Sequence, residues 1–248
     1  HDALPIWEKS EFLISFDAQI KDKHYAVQAN LIWKPNYAYL TLGLAIAQIC
    51  VWKFTGEELN MEEFLSDPLI YQLQPGRCSI FAGKEWSLIV DSTYNSSPLS
   101  MRKLIDTTLQ IQKSLKERRK VMLVLGDMRE LGDLTEQEHR LLAWYVHQSA
   151  DQICLVGESM DKYLLDELEK TWVEKSTVKT EKNSQKLWMW IVDFLKRSDE
   201  KWIILFKGSQ NTIFLEEAVK QVLANKEDAK YLTRQSAWWM EKKSYLYN

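Results

Sequence analysis

Residues 87–132 constrain the fold most, because two short apolar runs flank a helical pattern there. Residues 88–90 and 121–125 are apolar runs of strand length. Between them Ser97 can cap a helix and Pro98 suits its first turn. The apolar residues that recur at helical spacing are Met101, Leu104, Ile105 and Leu109. This order predicts a β-α-β unit with parallel strands that are covered on both faces.

Polar residues follow both predicted strands, at 91–97 and at 126–130. In open α/β sheets, ligands bind outside the carboxyl ends of the strands. The sequence therefore predicts a ligand site at this edge of the sheet.

The rest of the chain extends the α/β pattern. A hairpin is predicted from strands at 11–16 and 25–31 joined at 21–23, and 69–76 is predicted to be an interdomain linker. A capping box at 135–138 predicts a helix start, with His139 as a solvated helix residue. Further strands are predicted at 152–156, 172–178 and 202–206, and helices at 36–54, 135–149, 159–170, 183–197 and 212–223. Residues 56–64 are predicted to form a turn and a short helix.

Composition excludes several function classes. The net charge of -3 shows none of the excess positive charge that is typical of proteins that bind nucleic acid. Cys50, Cys78 and Cys154 sit in apolar runs without metal-ligand spacing, so we predict buried free thiols and no metal site. The most apolar run, 37–52, is short for a membrane span and contains Gln48, so a buried helix and no membrane span are predicted.

Four ordered motifs carry a family resemblance. They are Pro75-Gly76-Arg77, the run from Asp91 to Pro98, the run Gly-Asp-Met-Arg-Glu-Leu-Gly at 126–132, and Lys207-Gly208-Ser209. Together they resemble the C-terminal domain of the Mur ligases, the ATP-dependent amide-forming enzymes of peptidoglycan synthesis. Within that family, the 126–132 motif is typical of ligases that add D-alanyl-D-alanine.

The resemblance implies a domain organisation. Residues 76–224 match the Rossmann-like Mur C-terminal domain, with a mainly parallel sheet. Residues 1–75 are then an incomplete remnant of the central ATPase domain. Residues 225–248 form an extension that we expect to pack as a helix on the chain's own surface; an aromatic partner site is the alternative.

The resemblance also implies a reaction. ATP phosphorylates a carboxylate of UDP-MurNAc-tripeptide, and the amine of D-Ala-D-Ala attacks the acyl phosphate. The sequence contains no Gly-x-x-x-x-Gly-Lys-Ser/Thr phosphate loop. We therefore expect no catalytic residue and no Mg²⁺ ligand in this chain, which alone would be inactive. UDP-MurNAc-peptide, D-Ala-D-Ala and ATP are the expected partners, for a cytoplasmic monomer.

The nucleotide-binding residues that the resemblance implies are Arg77, Asn36, Asp91 and Ser92. Each has an alternative explanation. Arg77 can clamp phosphate oxygens or form a surface ion pair. Asn36 can contact nucleotide or cap a helix. Asp91 and Ser92 can serve the nucleotide or make local turn hydrogen bonds, since Ser92 replaces the family's second Asp.

The implied acceptor-binding residues are Tyr94, Asn95, Lys207 and Ser209. A Lys-Gly-Ser turn before a helix can hold an anion through backbone N–H groups. We expect Arg77, Tyr94, Asn95 and Lys207 to face one cleft. The family continues the Lys-Gly-Ser turn with Arg, where this chain has Gln210.

Two functions stay open at this point. The intact segment at 126–132 favours part of an active ligase. The departures from the family pattern at Pro35, Tyr39, Ser92, Ser97 and Gln210 favour a degenerate, non-catalytic binding or scaffold module.

Tryptophan is unusually frequent, with 11 residues against 8 glycines. Trp33, Trp52 and Trp86 stand where the family usually carries glycine. We predict that Trp33 and Trp86 sit in rebuilt turns or with an unfavourable backbone. One hypothesis is that the source organism reads the codon UGA as glycine, whereas the printed sequence was translated with a table that reads UGA as tryptophan.

Overall fold

The computed structural model describes residues 13–30, 34–71, 74–171, 174–209 and 213–244. The chain divides into two compact units, residues 1–72 and 73–248.

The first unit begins with an antiparallel hairpin. Strands β1 (Ile14–Ile20) and β2 (Lys23–Ala29) are joined by Lys21 and Asp22, with Lys21 at φ 58°. The predicted hairpin is confirmed, with its turn inside the predicted segment. The parts of the two predicted strands at 11–12 and 31 lie outside the described residues.

Two helices follow in this unit, α1 (Lys34–Thr55) and α2 (Met61–Phe64). The prediction that the apolar helix is buried is wrong, because apolar residues occur all around α1 and a two-stranded hairpin covers only one side. Leu40 and Leu44 are its buried hydrophobic residues among those described. Within the described chain, residues 36–55 form one helix that is long and apolar enough to cross a membrane.

The second unit is built on a six-stranded sheet with the order β3-β4-β8-β5-β6-β7. Only β3 runs antiparallel to its neighbour among these strands, which confirms the predicted mainly parallel sheet. The predicted runs at 88–90 and 121–125 lie in this one sheet, separated by β8. The strands are β3 (Ser79–Ala82), β4 (Leu88–Ser92), β5 (Lys120–Gly126), β6 (Gln152–Val156), β7 (Val178–Glu181) and β8 (Trp202–Lys207).

The helices of this unit are α3 (Pro98–Ser114), α4 (Thr135–His147), α5 (Asp166–Glu169), α6 (Ser184–Arg197), α7 (Leu215–Val222) and α8 (Ala237–Lys243). Helix α3 begins as predicted, with the Ser97 hydroxyl accepting the Ser100 N–H and Pro98 in the first turn. The capping box predicted for α4 is wrong. Thr135 is already helical, and its hydroxyl donates to the Gly132 carbonyl oxygen.

Three other local predictions need correction. The strand predicted at 172–178 begins only at Val178, because a 3-10 turn at Lys175–Thr177 precedes it. The helix predicted at 159–170 contains a π-helical stretch at Met160–Leu165. Cys78 and Cys154 are buried free thiols as predicted, but Cys50 is exposed, since it lies on the uncovered side of α1.

Candidate binding site at the carboxyl edge of the sheet

The loops after β4, β5, β6 and β8 meet at one edge of the sheet, because these four strands are parallel. In the register of the sheet, Lys207 at the end of β8 lies opposite both Ser92 and Leu125. The backbones approach closely here, since a Cβ on Gly208 would lie 3.1 Å from the Gly126 Cα. Glycine at these positions lets the loops after β5 and β8 touch.

Lys207 is buried at this edge of the sheet and holds the loop after β4 in place. Its side chain is almost fully buried, with the residue only 2% exposed, and its Nζ donates to the Asn95 carbonyl oxygen at 2.7 Å. Burial lowers the pKa of Lys207 to about 8. The expectation that Lys207 faces the cleft is wrong, because the ammonium is used to hold the loop after β4. Its acceptor-binding role stays a prediction.

Ser209 joins three loops and is itself buried. Its N–H donates to the Asp127 carbonyl oxygen at 3.0 Å. Its hydroxyl accepts the Arg129 N–H at 2.9 Å and donates to the Ser96 carbonyl oxygen at 3.3 Å. The Lys-Gly-Ser turn therefore fixes the loops after β4 and β5 against each other, and acceptor binding by Ser209 stays a prediction.

Arg77 and Tyr94 form an exposed stacked pair. The Arg77 guanidinium lies 4.3 Å from the centre of the Tyr94 ring, and both residues are exposed. The Tyr94 N–H donates to the Gly76 carbonyl oxygen at 3.1 Å, which holds the two segments together. A guanidinium stacked in this way keeps its N–H edges available to an anion. Asn95, the next residue, is also exposed and lines the cleft described below. Arg77 and Tyr94 do not line that cleft, so the expectation that they share it with Asn95 is wrong.

Asp91 and Ser92 are buried. Asp91 Oδ1 accepts the Thr93 N–H at 3.1 Å and the Thr93 hydroxyl at 2.7 Å, which are the local hydrogen bonds of the alternative explanation. Burial raises the pKa of Asp91 to about 6, although the Thr93 hydrogen bonds oppose this shift. Neither side chain is presented to solvent here, and their nucleotide roles stay predictions.

An open polar cleft of about 610 Å³ lies at this edge. Asp127 is fixed in it, because its Oδ1 accepts the Met160 N–H at 2.9 Å. Gly157 at φ 114° leaves room for this carboxylate, since a Cβ there would lie 2.4 Å from the Asp127 Cγ. The cleft is lined by Asn95, Asp127, Met128, Arg129, Glu130, Thr135, Gly157, Glu158, Ser159, Lys182 and Ile213.

The family profile described as "Mur ligase, glutamate ligase domain" matches residues 76–210, which is more than half of the chain and contains the loops after β4, β5 and β6 and the start of the loop after β8. The chain belongs to the Mur ligase family. The expected resemblance is thereby confirmed, and the residues that line the cleft lie within the matched range except for Ile213.

The chain is similar to a known ligase sequence and to solved structures of MurF. The chain is 34% identical over 142 residues to the UDP-N-acetylmuramoyl-tripeptide--D-alanyl-D-alanine ligase of Bacillus subtilis (strain 168), covering 54% of this chain and 28% of that protein. Its fold is similar to MurF from Acinetobacter baumannii (TM-score 0.65, 22% identity, 84% of this chain and 42% of that one). It is also similar to MurF ligase from Thermotoga maritima in complex with ADP (TM-score 0.58, 21% identity, 89% and 44%). The chain therefore spans less than half the length of these relatives.

His139 holds the 126–132 loop of this Mur ligase domain. It is fully buried, so the prediction of a solvated residue is wrong. Its Nε2 accepts the Met128 N–H at 3.1 Å, and its Nδ1 lies 2.7 Å from the Thr135 carbonyl oxygen, to which it donates. Burial lowers the pKa of His139, which favours this neutral form. The ring is a structural link and does not reach the cleft as a base.

Asn36 lies in the other unit, as the third residue of α1. The helix-cap explanation is wrong, because the helix already begins at Lys34. Its nucleotide role in a Mur ligase stays a prediction.

Among the charged residues of the cleft, Asp127 lies in the polar edge predicted at 126–130 but was not named as a site residue, and Lys182 was missed. Both directly follow strands, β5 and β7. The position of Asp127 after an apolar run was a usable signal. Lys182 was not recognised as a residue that follows a strand, because the strand before it was predicted at 172–178, whereas β7 ends at Glu181.

Proposed function

We propose that this chain is the acceptor-binding part of an ATP-dependent ligase that adds D-alanyl-D-alanine to UDP-N-acetylmuramoyl-tripeptide in peptidoglycan precursor synthesis. The observation that carries the proposal is the polar cleft, which residues 127–130 of the intact 126–132 motif line. The activity named for the Bacillus subtilis relative supports the choice of acceptor.

The charges of the cleft suit a dipeptide that carries an ammonium and a carboxylate group. Asp127, Glu130 and Glu158 can attract the ammonium end. Arg129 and Lys182 can attract the carboxylate. Asn95 lines the cleft, and Tyr94 is the exposed residue before it, so the two can help to fix the orientation of the dipeptide. Correct orientation of the amine is the main contribution such a site makes to rate.

ATP would supply the phosphoryl group that activates the carboxylate of the other substrate. Arg77 suits a phosphate, since its guanidinium is exposed and held in place by the Tyr94 ring. Across the described ranges, no group of three or more His, Cys, Asp or Glu residues could hold a metal ion. We therefore place the Mg²⁺ ligands and the phosphate loop in another part of the ligase, and propose a cytoplasmic, monomeric enzyme.

A non-catalytic binding or scaffold module is the second candidate. Asp91 is buried, and Ser92 stands where the family carries a carboxylate for nucleotide, which favours this candidate. The upstream sequence of the gene discriminates between the two. An in-frame phosphate loop before His1 supports the ligase.

Two measurements on the 248-residue chain test the proposal. With ATP, Mg²⁺, UDP-MurNAc-tripeptide and D-Ala-D-Ala, we expect no ADP release above background, because phosphoryl transfer depends on positioning by the phosphate loop and Mg²⁺. In calorimetric titration, we expect weak binding of D-Ala-D-Ala and none of L-Ala-L-Ala. Lys182→Met should weaken dipeptide binding about tenfold, as expected for loss of a charged hydrogen bond.

The matched control is Lys186→Met, which removes the same charge from an exposed site on α6 outside the cleft and should leave binding unchanged. Equal affinities of the wild-type chain for both dipeptides would refute acceptor binding. Steady ADP release that Arg77→Ala abolishes would show that the chain contains the phosphoryl-transfer site itself.

A further inference from the structure

A buried ionic cluster connects the C-terminal segment to helix α7. Arg234 binds Glu216 with two hydrogen bonds, at 2.8 Å from Nε and 2.6 Å from an Nη nitrogen. Lys243 on α8 lies 2.8 Å from Glu216 and 2.6 Å from Glu217. All four side chains are almost completely buried. Such clusters add little stability over apolar packing, so stability alone explains its presence poorly.

Arg234 also reaches the loop after β4. Its Nη2 donates to the Thr93 carbonyl oxygen at 2.7 Å, and its Nη1 to the Tyr94 carbonyl oxygen at 3.3 Å. The planar guanidinium therefore bridges one carboxylate and two backbone carbonyls, which a lysine ammonium cannot do with the same geometry. Arg234 holds this position with a left-handed backbone, at φ 56°. This unfavourable conformation is maintained by the contacts around it.

Lys207 holds the next carbonyl of the same loop, that of Asn95, at 2.7 Å. The carbonyls of Thr93, Tyr94 and Asn95 thus all accept hydrogen bonds from buried cations. With the backbone held from inside, the side chains of Tyr94 and Asn95 remain exposed to solvent.

We propose that Arg234 is a positioning residue, which fixes the loop at residues 93–96 so that Tyr94 and Asn95 face the acceptor. The C-terminal segment at 226–244 lies beyond the matched family domain. Through Arg234 it therefore contributes to the binding site by holding the loop after β4. The role of the loop in acceptor binding rests on the function proposed above. The fixing of the loop by Arg234 does not depend on it.

Amide hydrogen exchange tests the fixing directly. The Tyr94 N–H is bonded to the Gly76 carbonyl oxygen, so its protection reports whether the loop stays in place. In Arg234→Lys, we expect Tyr94 to exchange at least tenfold faster relative to the amides of β5, and D-Ala-D-Ala to bind about tenfold more weakly. Arg234→Met should act in the same direction. If that variant does not fold, Arg234→Lys decides the test, because it keeps a buried positive charge near Glu216.

The control for a general loss of stability is Leu168→Ala, a buried residue of α5 away from the loop. It should lower the melting temperature without changing the ratio of Tyr94 exchange to β5 exchange. An unchanged ratio in Arg234→Lys overturns the proposal. Absence of dipeptide binding by the wild-type chain refutes the proposed function instead, and the exchange ratio still decides the role of Arg234.

Discussion

The turn between β3 and β4 places two non-glycine residues in the left-handed backbone region. Ser87 donates its N–H to the Lys84 carbonyl oxygen at 3.0 Å, and between them Glu85 and Trp86 have φ values of 50° and 58°. This is the geometry of a type I′ turn, whose second central position favours glycine. The prediction of an unfavourable backbone at Trp86 is confirmed. Trp33 lies outside the described residues.

Trp86→Gly should therefore stabilise the protein. Trp86 is 82% exposed, so the substitution removes little buried surface and relieves a left-handed conformation that costs a non-glycine residue roughly 1–2 kcal/mol. We expect the free energy of unfolding, measured in urea, to rise by about 1 kcal/mol. Trp144→Gly is the control, since Trp144 is 61% exposed in the middle of α4 and glycine destabilises a helix interior by about 1 kcal/mol.

Equal destabilisation by both substitutions would contradict this assignment of the turn. The codon hypothesis has a separate test. UGG in the native gene at positions 33, 52 and 86 would exclude reading of UGA as glycine.

Asp91 should make stability depend on pH. Burial raises its folded pKa from 3.8 to about 6, so the folded state holds the proton more tightly than the unfolded state. The stability it contributes is complete below about pH 4 and is lost as the pH rises through about 6. Between pH 4 and pH 7.5, Asp91→Asn should become more stable relative to wild type, by on the order of 2 kcal/mol.

Urea unfolding at several pH values measures this difference. Asp193→Asn, at an exposed position on α6, is the control for replacing a carboxyl group by an amide. Parallel stability curves for Asp91→Asn and wild type would show that the buried carboxylate does not titrate with a raised pKa.

At the scale of elements, sequence patterns predicted best where burial is complete. Runs such as 121–125 and 202–206 form central strands because both faces are covered, so every position is apolar. Strand β7 at the sheet edge was misplaced, since its residues are only partly buried and carry no apolar pattern. The burial of His139 was also missed, because it depends on a backbone N–H from a different segment, at Met128.

At the scale of the whole molecule, sequence reasoning predicted the sheet edge at which the candidate cleft lies, but not the buried contacts that support it. The motifs put Tyr94, Asn95 and Ser209 at the correct edge of the sheet, because strand order and parallel pairing dictate that edge. The burial of Lys207 under Asn95 and the contact of Arg234 with Thr93 join residues far apart in the chain. Neither contact leaves a local sequence signal, so only the assembled structure shows them.

The first unit exposes an apolar surface on α1 that includes Leu42, Ile46 and Ile49. They are 57%, 51% and 60% exposed, whereas Leu40 on the same helix is 6% exposed. Contiguous apolar surface of this kind marks a contact with another protein segment or with a membrane.

Replacing Leu42, Ile46 and Ile49 together by Gln should leave the fold intact, because these side chains make few contacts in this chain. We expect the same circular dichroism spectrum, a melting temperature within about 2 °C of wild type, and weaker fluorescence of the hydrophobic dye ANS. Leu40→Gln is the matched control on the same helix. It should destabilise the unit by about 2 kcal/mol or more, because it places an amide in an apolar environment. Unfolding of the triple variant would show instead that this face is covered in solution, for example by a second copy of the chain, and sedimentation velocity would then reveal the dimer.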